Sequence, residues 1–258
     1  MSLSLDLISK AAFTWRRDTI IGRILRLPLR AVPKAGPVRI LSGPARGMKW
    51  SPGAGVADFW LGTYESEKAK LFAQHAKPGQ TVYDIGANAG YYSLIASRVL
   101  GPTGRVVAFE PSPRNLGFLH HHLSLNHNTN VKVLDIAVSD SEGMTRFFVD
   151  NDPKLSRVMA AGNIVVRTTT LDRLMGELPL PDLIEMDIEG AEYSALLGAE
   201  RLLRAVSPVI FLSTHGRDVH RACCELLRTL GYDLHAIGPR SIDDTDELYC
   251  VQSSSGTA

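Results

Sequence analysis

An α/β fold built on a largely parallel sheet is predicted by three observations. Short apolar runs of strand-forming residues recur at 82–85, 105–109, 131–134, 183–187, 209–212, 233–237 and 248–252, making seven strands. Helical patterns fall between or beside them at 91–99, 113–126, 191–205 and 219–230. The first strand breaks at Gly86, and its turn passes through Asn88 to Gly90 before a helix begins. Buried strands alternating with helices give a sheet covered on both faces, which receives ligands at the carboxyl ends of its strands. A chain of 258 residues, 45% hydrophobic and 21% charged, has material for one such core with additions.

Ahead of the sheet, residues 12–27 carry a lopsided helical pattern. Phe13, Ile20, Ile24 and Leu27 share one stripe, Arg23 and Arg26 lie opposite, and Pro28 and Pro33 end it. Two coverings fit this basic amphipathic helix: an anionic membrane surface, through residues 12–30, or packing on the rest of the chain or on a dimer partner. The alternation from Pro37 to Trp50 predicts a β-hairpin. A helix is expected over 65–75, with Ser66, Lys70 and Gln74 on its wet side, preceded by the aromatic residues Phe59, Trp60 and Tyr64. The chain thus divides into an extension of helix and hairpin over 1–62, the main domain over 63–252 and a loose tail over 253–258. The rhythm breaks between Asp140 and Thr170, where a hairpin and polar loop are inserted. Asp150, Asp152, Ser156 and Arg157 of that loop are candidates for contacts with a hydroxyl-bearing or sugar substrate.

The glycine turn is by itself a weak signal, because many α/β proteins turn from strand to helix through glycine. Glu110 strengthens it. This carboxylate ends the second strand 26 positions after Asp84, where it can accept hydrogen bonds from the hydroxyls of a ribose. The turn D-x-G-x-N-x-G lacks the third glycine of the dinucleotide fingerprint. An adenosine cofactor without a pyrophosphate fits better, which points to S-adenosylmethionine and against a nicotinamide-dependent oxidoreductase.

VYDIGANAGYYSL (82–94), AFEPSPRN (108–115), AVSDSEG (137–143), TTLDRL (169–174), DLIEMDIEGAEYSALLGA (182–199) and the region of His215 together resemble the FkbM-type S-adenosylmethionine-dependent methyltransferases. The resemblance implies a Rossmann-like class I methyltransferase fold with the last strand antiparallel. It implies a cofactor held along Asp84, Gly86, Asn88, Gly90, Glu110, Pro111, Ser112, Asp135, Ala137 and Asp187, with Asp135 near the exocyclic amine. It also implies methyl transfer to a hydroxyl of a sugar, glycolipid or secondary metabolite. The N-P-P-Y type signature of nucleic-acid amino methylation is missing, and D-I-E-G stands in its place.

Asp187 and Glu189 lie at a strand tip, and if the chain stayed extended both would point to one side. They could take a proton, hydrogen-bond an acceptor hydroxyl or hold a divalent cation, and the sequence names no metal. His215, just beyond the next strand, is placed to take a proton from an alcohol. Glu192 reads as an acid stabilised by a helix start. Two departures from the family stand out: Ser213-Thr214-His215 replaces Glu-x-His, and Glu185 replaces a frequent Lys. The first leaves His215 without its usual partner and keeps open a cofactor-binding protein with no catalytic activity.

His120, His121 and His122 follow one another on a helix and cannot converge on one ion, so they read as surface or partly packed residues. Cys223, Cys224 and Cys250 have no metal-ligand spacing and suit a reducing compartment. Residues 1–35 hold seven lysines and arginines against two aspartates, so the remainder of a chain with net charge +1 is slightly acidic. An acidic body argues against nucleic acid as substrate. Without a run long enough to span a bilayer or a leader-like start, the reading is cytoplasmic, with room for peripheral membrane contact.

Overall fold

The computed structural model describes residues 36–148, 157–158 and 162–253. The helix expected over 12–27 lies outside them, as do Asp150, Asp152, Ser156 and the side chain of Arg157.

The expected hairpin is present as β1 (Val38–Arg39) and β2 (Lys49–Trp50), paired antiparallel. After α1 (Ala57–Leu61) and α2 (Ser66–His75), the main domain alternates as its sequence predicts. It runs through β3 (Thr81–Ile85), α3 (Tyr91–Leu100), β4 (Arg105–Phe109), α4 (Pro113–Asn126) and β5 (Val131–Leu134). An inserted region carries β6 (Ala137–Val138), β7 (Gly143–Phe148), β8 (Arg157–Val158), β9 (Ile164–Thr169) and α5 (Leu171–Leu174). The chain then continues through β10 (Leu183–Met186), α6 (Glu192–Leu197), α7 (Glu200–Val206), β11 (Val209–Ser213), α8 (Arg217–Thr229), β12 (Tyr232–Ala236) and β13 (Glu247–Gln252).

Seven strands form the main sheet in the order β12-β13-β11-β10-β3-β4-β5. Those from β5 to β11 are parallel, while β13 runs antiparallel between β11 and β12. Period-two alternation divides the core. Val82, Val106, Leu183 and Phe211 pack on one face; Tyr83, Val107, Ile184 and Ile210 pack on the other. All five residues of β3 are buried, as befits a central strand covered on both sides.

Three local expectations are corrected. The inserted hairpin is a four-stranded sheet of order β6-β9-β7-β8, because β9 also pairs with β6 in parallel. The single helix expected over 191–205 is two helices: a Cβ on Gly198 would lie 2.0 Å from the Ser139 carbonyl oxygen, and the Gly198 carbonyl accepts the Asp172 N–H. His122 is fully buried, stacked on Trp50 with ring centroids 4.0 Å apart. Its Nδ1–H donates to the Ala89 carbonyl and its Nε2 accepts the Ser51 N–H. Burial lowers this imidazole to about 4, so it stays neutral. The hairpin is thereby fixed to α4 and to the glycine turn.

The most consequential surprise is Lys68 on α2, only 1% exposed. Its Nζ lies 2.8 Å from Glu185, 3.2 Å from Glu247 and 3.5 Å from Glu65, and donates to the Ser213 hydroxyl. Burial alone would lower its pKa, but these carboxylates outweigh burial and hold it protonated.

Candidate active site

At the carboxyl edge of the sheet, the tips of β3, β4 and β10 open into a crevice enclosing about 890 Å³ of empty space, its mouth included. Its floor starts at Asp84, which is buried and accepts a hydrogen bond from Ser93. Burial, opposed by that bond, raises Asp84 to about 6. Gly86 follows at φ +89°, and a Cβ there would meet the Asp187 carbonyl oxygen at 2.0 Å, so only glycine lets β3 leave the sheet beside β10. Asn88, also left-handed, donates its backbone N–H to Glu110 Oε2 at 2.8 Å, while Oε1 of the same carboxylate accepts the Ser112 N–H at 2.7 Å. Burial lifts Glu110 to about 7 against the pull of these bonds.

Asp84, Gly86, Asn88, Glu110, Pro111, Ala137 and Asp187 all line the crevice. Three expected contacts do not. Asp135 points outward, 69% exposed and ion-paired with Arg167 at 2.6 Å, and Ile136 takes the lining place. Ser112 is buried behind Glu110, where its N–H is committed. Gly90 caps α3, and its missing Cβ makes room for Leu119. Phe59, Tyr64, Tyr91 and Tyr92 form an aromatic wall. Among the lining groups, Asn88 Oδ1, Tyr91 Oη and Asp187 Oδ1 are buried with no hydrogen-bond partner. Such atoms are costly unless a ligand supplies partners.

Beyond the crevice, Asp187, Glu189 and His215 converge. Extended geometry does not persist through the strand tip as expected. β10 ends at Met186, and Glu189 is left-handed at φ +53°, followed by Gly190 at φ +106°. The tight turn still brings both carboxylates to one imidazole: His215 Nε2 lies 3.7 Å from Asp187 Oδ1 and 3.4 Å from Glu189 Oε2. The partner that position 213 does not supply comes from Glu192, which the sequence reading leaves as a helix-start acid. Fully buried, its Oε1 accepts His215 Nδ1–H at 2.9 Å and the Gly190 N–H at 2.9 Å. Burial would lower His215, but the bond to Glu192 and the charges of Asp187, Glu189 and Glu192 raise it to about 9. On its far side His215 borders a second groove, lined by Arg217, Arg221 and Arg228 of α8 and by Asp243, Asp244 and Asp246. The acidic cluster therefore stands between the crevice and an open groove.

This sheet order, with an antiparallel strand inserted next to the edge and acids at two neighbouring strand tips, is that of the class I S-adenosylmethionine-dependent methyltransferases. The ribosomal protein L11 methylase of Lactobacillus delbrueckii is similar to this chain in fold, at TM-score 0.50 and 15% identity, over 80% of this chain and 85% of that one. Residues 84–234 match the methyltransferase FkbM domain, and the chain belongs to that family. It is 28% identical over 152 residues to the hexuronic acid methyltransferase AglP of Haloferax volcanii, covering 57% of this chain and 61% of AglP. It is 29% identical to the AMB antimetabolite synthetase AmbE of Pseudomonas aeruginosa, covering 70% of this chain and 11% of AmbE. The chain thus spans less than two thirds of either relative. Among the described residues no helix is long and apolar enough to cross a membrane.

Proposed function

We propose that the protein transfers a methyl group from S-adenosylmethionine to a hydroxyl of a sugar-like acceptor, such as a sugar, a glycolipid or a glycosylated metabolite. The observation that carries this reading is the Asp187–Glu189–His215 cluster between crevice and groove. S-adenosylmethionine, when bound, supplies a methyl carbon on a positive sulfur, open to in-line attack by an oxygen lone pair. The residues present suit it: Glu110 keeps lone pairs for ribose hydroxyls, and the unpartnered oxygens of Asn88 and Tyr91 await partners. The aromatic wall excludes water from the transfer. The acceptor oxygen must lose its proton, and the carboxylates of Asp187 and Glu189 are the groups positioned to loosen it, because His215, raised to about 9, already carries a proton at neutral pH. The arginines Arg217, Arg221 and Arg228 along the second groove suit an acceptor bearing hydroxyls and a carboxylate, as a hexuronic acid does. Incubating the full chain with methyl-deuterated S-adenosylmethionine and a panel of hexoses and hexuronic acids tests the reading by mass spectrometry. A product heavier by one labelled methyl, in which periodate no longer cleaves beside the methylated hydroxyl, is expected; failure to bind S-adenosylmethionine in calorimetry would refute it.

Cofactor affinity should also depend on pH through Glu110. Its raised pKa means that the folded chain without cofactor holds a proton below pH about 7 that the unfolded chain releases down to about 4.5, so acidification stabilises the empty fold. Ribose hydroxyls donate to the ionised carboxylate, so binding moves the other way. Affinity is expected to rise about tenfold from pH 6 to pH 8, with about one proton released. Calorimetry in buffers of different ionisation enthalpy measures both, and Glu110→Gln should bind weakly with most of the slope removed.

A further inference from the structure

We propose that Asp187, Glu189 and His215 form a three-ligand site for a divalent cation of the magnesium or manganese type, and that this cation presents the acceptor's oxygen to the methyl group. The proposal rests on the methyltransferase reading and sharpens the role of its cluster. Four observations carry it.

First, the separations of 3.4 and 3.7 Å between His215 Nε2 and the two carboxylate oxygens are too long for good hydrogen bonds. They are close to the spacing of neighbouring ligands around one ion with bonds of roughly 2.0–2.4 Å. One atom from each of the three residues falls within 4.8 Å of the others. Second, Asp187 Oδ1 is a buried oxygen with no hydrogen-bond partner, beside the imidazole. A cation would satisfy it. Third, Glu192 supports His215 from behind in the manner of a metal-ligating imidazole. With Nδ1–H given to a fully buried carboxylate, Nε2 is the nitrogen left facing Asp187 and Glu189. The same Glu192 oxygen holds the Gly190 N–H, so ring and turn are fixed by one anchor. Fourth, the three ligands come from one short turn and one neighbouring strand end, leaving the rest of a coordination sphere to solvent and acceptor. Asp187 and Glu189 face the cofactor crevice while His215 faces the groove.

Two carboxylates with one imidazole favour a hard, oxygen-preferring ion over zinc or copper. Such an ion accepts two oxygens side by side, so the acceptor expected is one whose reacting hydroxyl has a second oxygen on the adjacent carbon, as in a vicinal diol or a hydroxy acid. Bound to the cation, the hydroxyl loses its proton to solvent through the groove. Its lone pair forms the new carbon–oxygen bond as the carbon–sulfur bond breaks, and the electron pair of that bond passes to sulfur, leaving a neutral thioether. His215 gives up its Nε2 proton when the cation binds, and from then on it is a neutral ligand that carries no proton in the transfer.

The test uses the full chain, stripped with EDTA and titrated with Mn²⁺ alone, followed by the electron paramagnetic resonance signal of free Mn²⁺. One site per chain is expected. Glu189→Gln and His215→Gln should each weaken it at least tenfold, and Glu192→Gln should weaken it less while keeping the stoichiometry. Circular dichroism and calorimetric S-adenosylmethionine binding establish that each variant is folded. Absence of a stoichiometric site, or a site unmoved by both ligand substitutions, would overturn the proposal. So would full methyl transfer by EDTA-treated protein, which leaves the methyltransferase reading intact. Conversely, Mn²⁺ bound as described to a chain with no affinity for S-adenosylmethionine would uphold the metal site and remove the reading beneath it.

Discussion

Replacing Lys68 with methionine is expected to destabilise the fold by about 3–5 kcal/mol, the usual consequence of removing one partner from a buried ion pair. The reason lies in what remains. Glu185, 1% exposed, loses the ammonium at 2.8 Å, and Glu247 and Glu65 lose their shared counter-charge. Burial already raises Glu185 well above the ordinary carboxylate range and Glu247 to about 7, even with Lys68 present. In the variant these acids must bind protons to stay buried. A group whose folded pKa is raised binds more protons folded than unfolded, so the variant should regain stability as pH falls from about 7 towards 4.5. Urea unfolding of both proteins at pH 8 and pH 5.5 measures the difference. Equal stability at pH 8 would mean that the charge cluster contributes nothing net to the fold. A charge-neutral pair, Lys68→Met with Glu185→Gln, should recover part of the loss, because buried ion pairs are often replaceable as a unit.

The second large effect belongs to chemistry. Asp187→Asn keeps the size of the side chain but removes the charge that faces His215 and the crevice, and turnover is expected to fall about 10²–10⁴-fold. S-adenosylmethionine affinity should change little, since Asp84, Asn88 and Glu110 remain. Single-turnover methyl transfer, set beside calorimetric cofactor binding, separates the two. Unchanged turnover would remove Asp187 from the reaction; a matching loss of cofactor affinity would move it to the binding site.

Much of this was legible in the chain because it is local. The bounds of β4, α4 and β5 coincide with the apolar runs and breakers around them, and the acids at the tips of β3, β4 and β10 follow from strand endings. What escaped reading depends on contacts between distant segments. Lys68 looks like any helix lysine until α2 is laid against β10, β11 and β13, more than 100 residues away in sequence. Glu192 carries the ordinary mark of a helix start and gives no sign that it will meet His215 across 23 positions. The two departures from the family pattern, Glu185 and Ser213, are adjacent in space, and Lys68 bridges both. Asp135 points outward for a related reason: whether a residue just past a strand faces the crevice depends on the next turn, and here the arginine on β9 draws it outward.

The neutral imidazole of His122 bears on how tightly a small molecule can be held. By gripping Ala89 on one side and Ser51 on the other, it braces the bend between β3 and α3 from behind before any guest arrives. A receptor already in its final shape gives up little freedom on association. Part of this domain's hold on its guest thus originates in residues that never touch it.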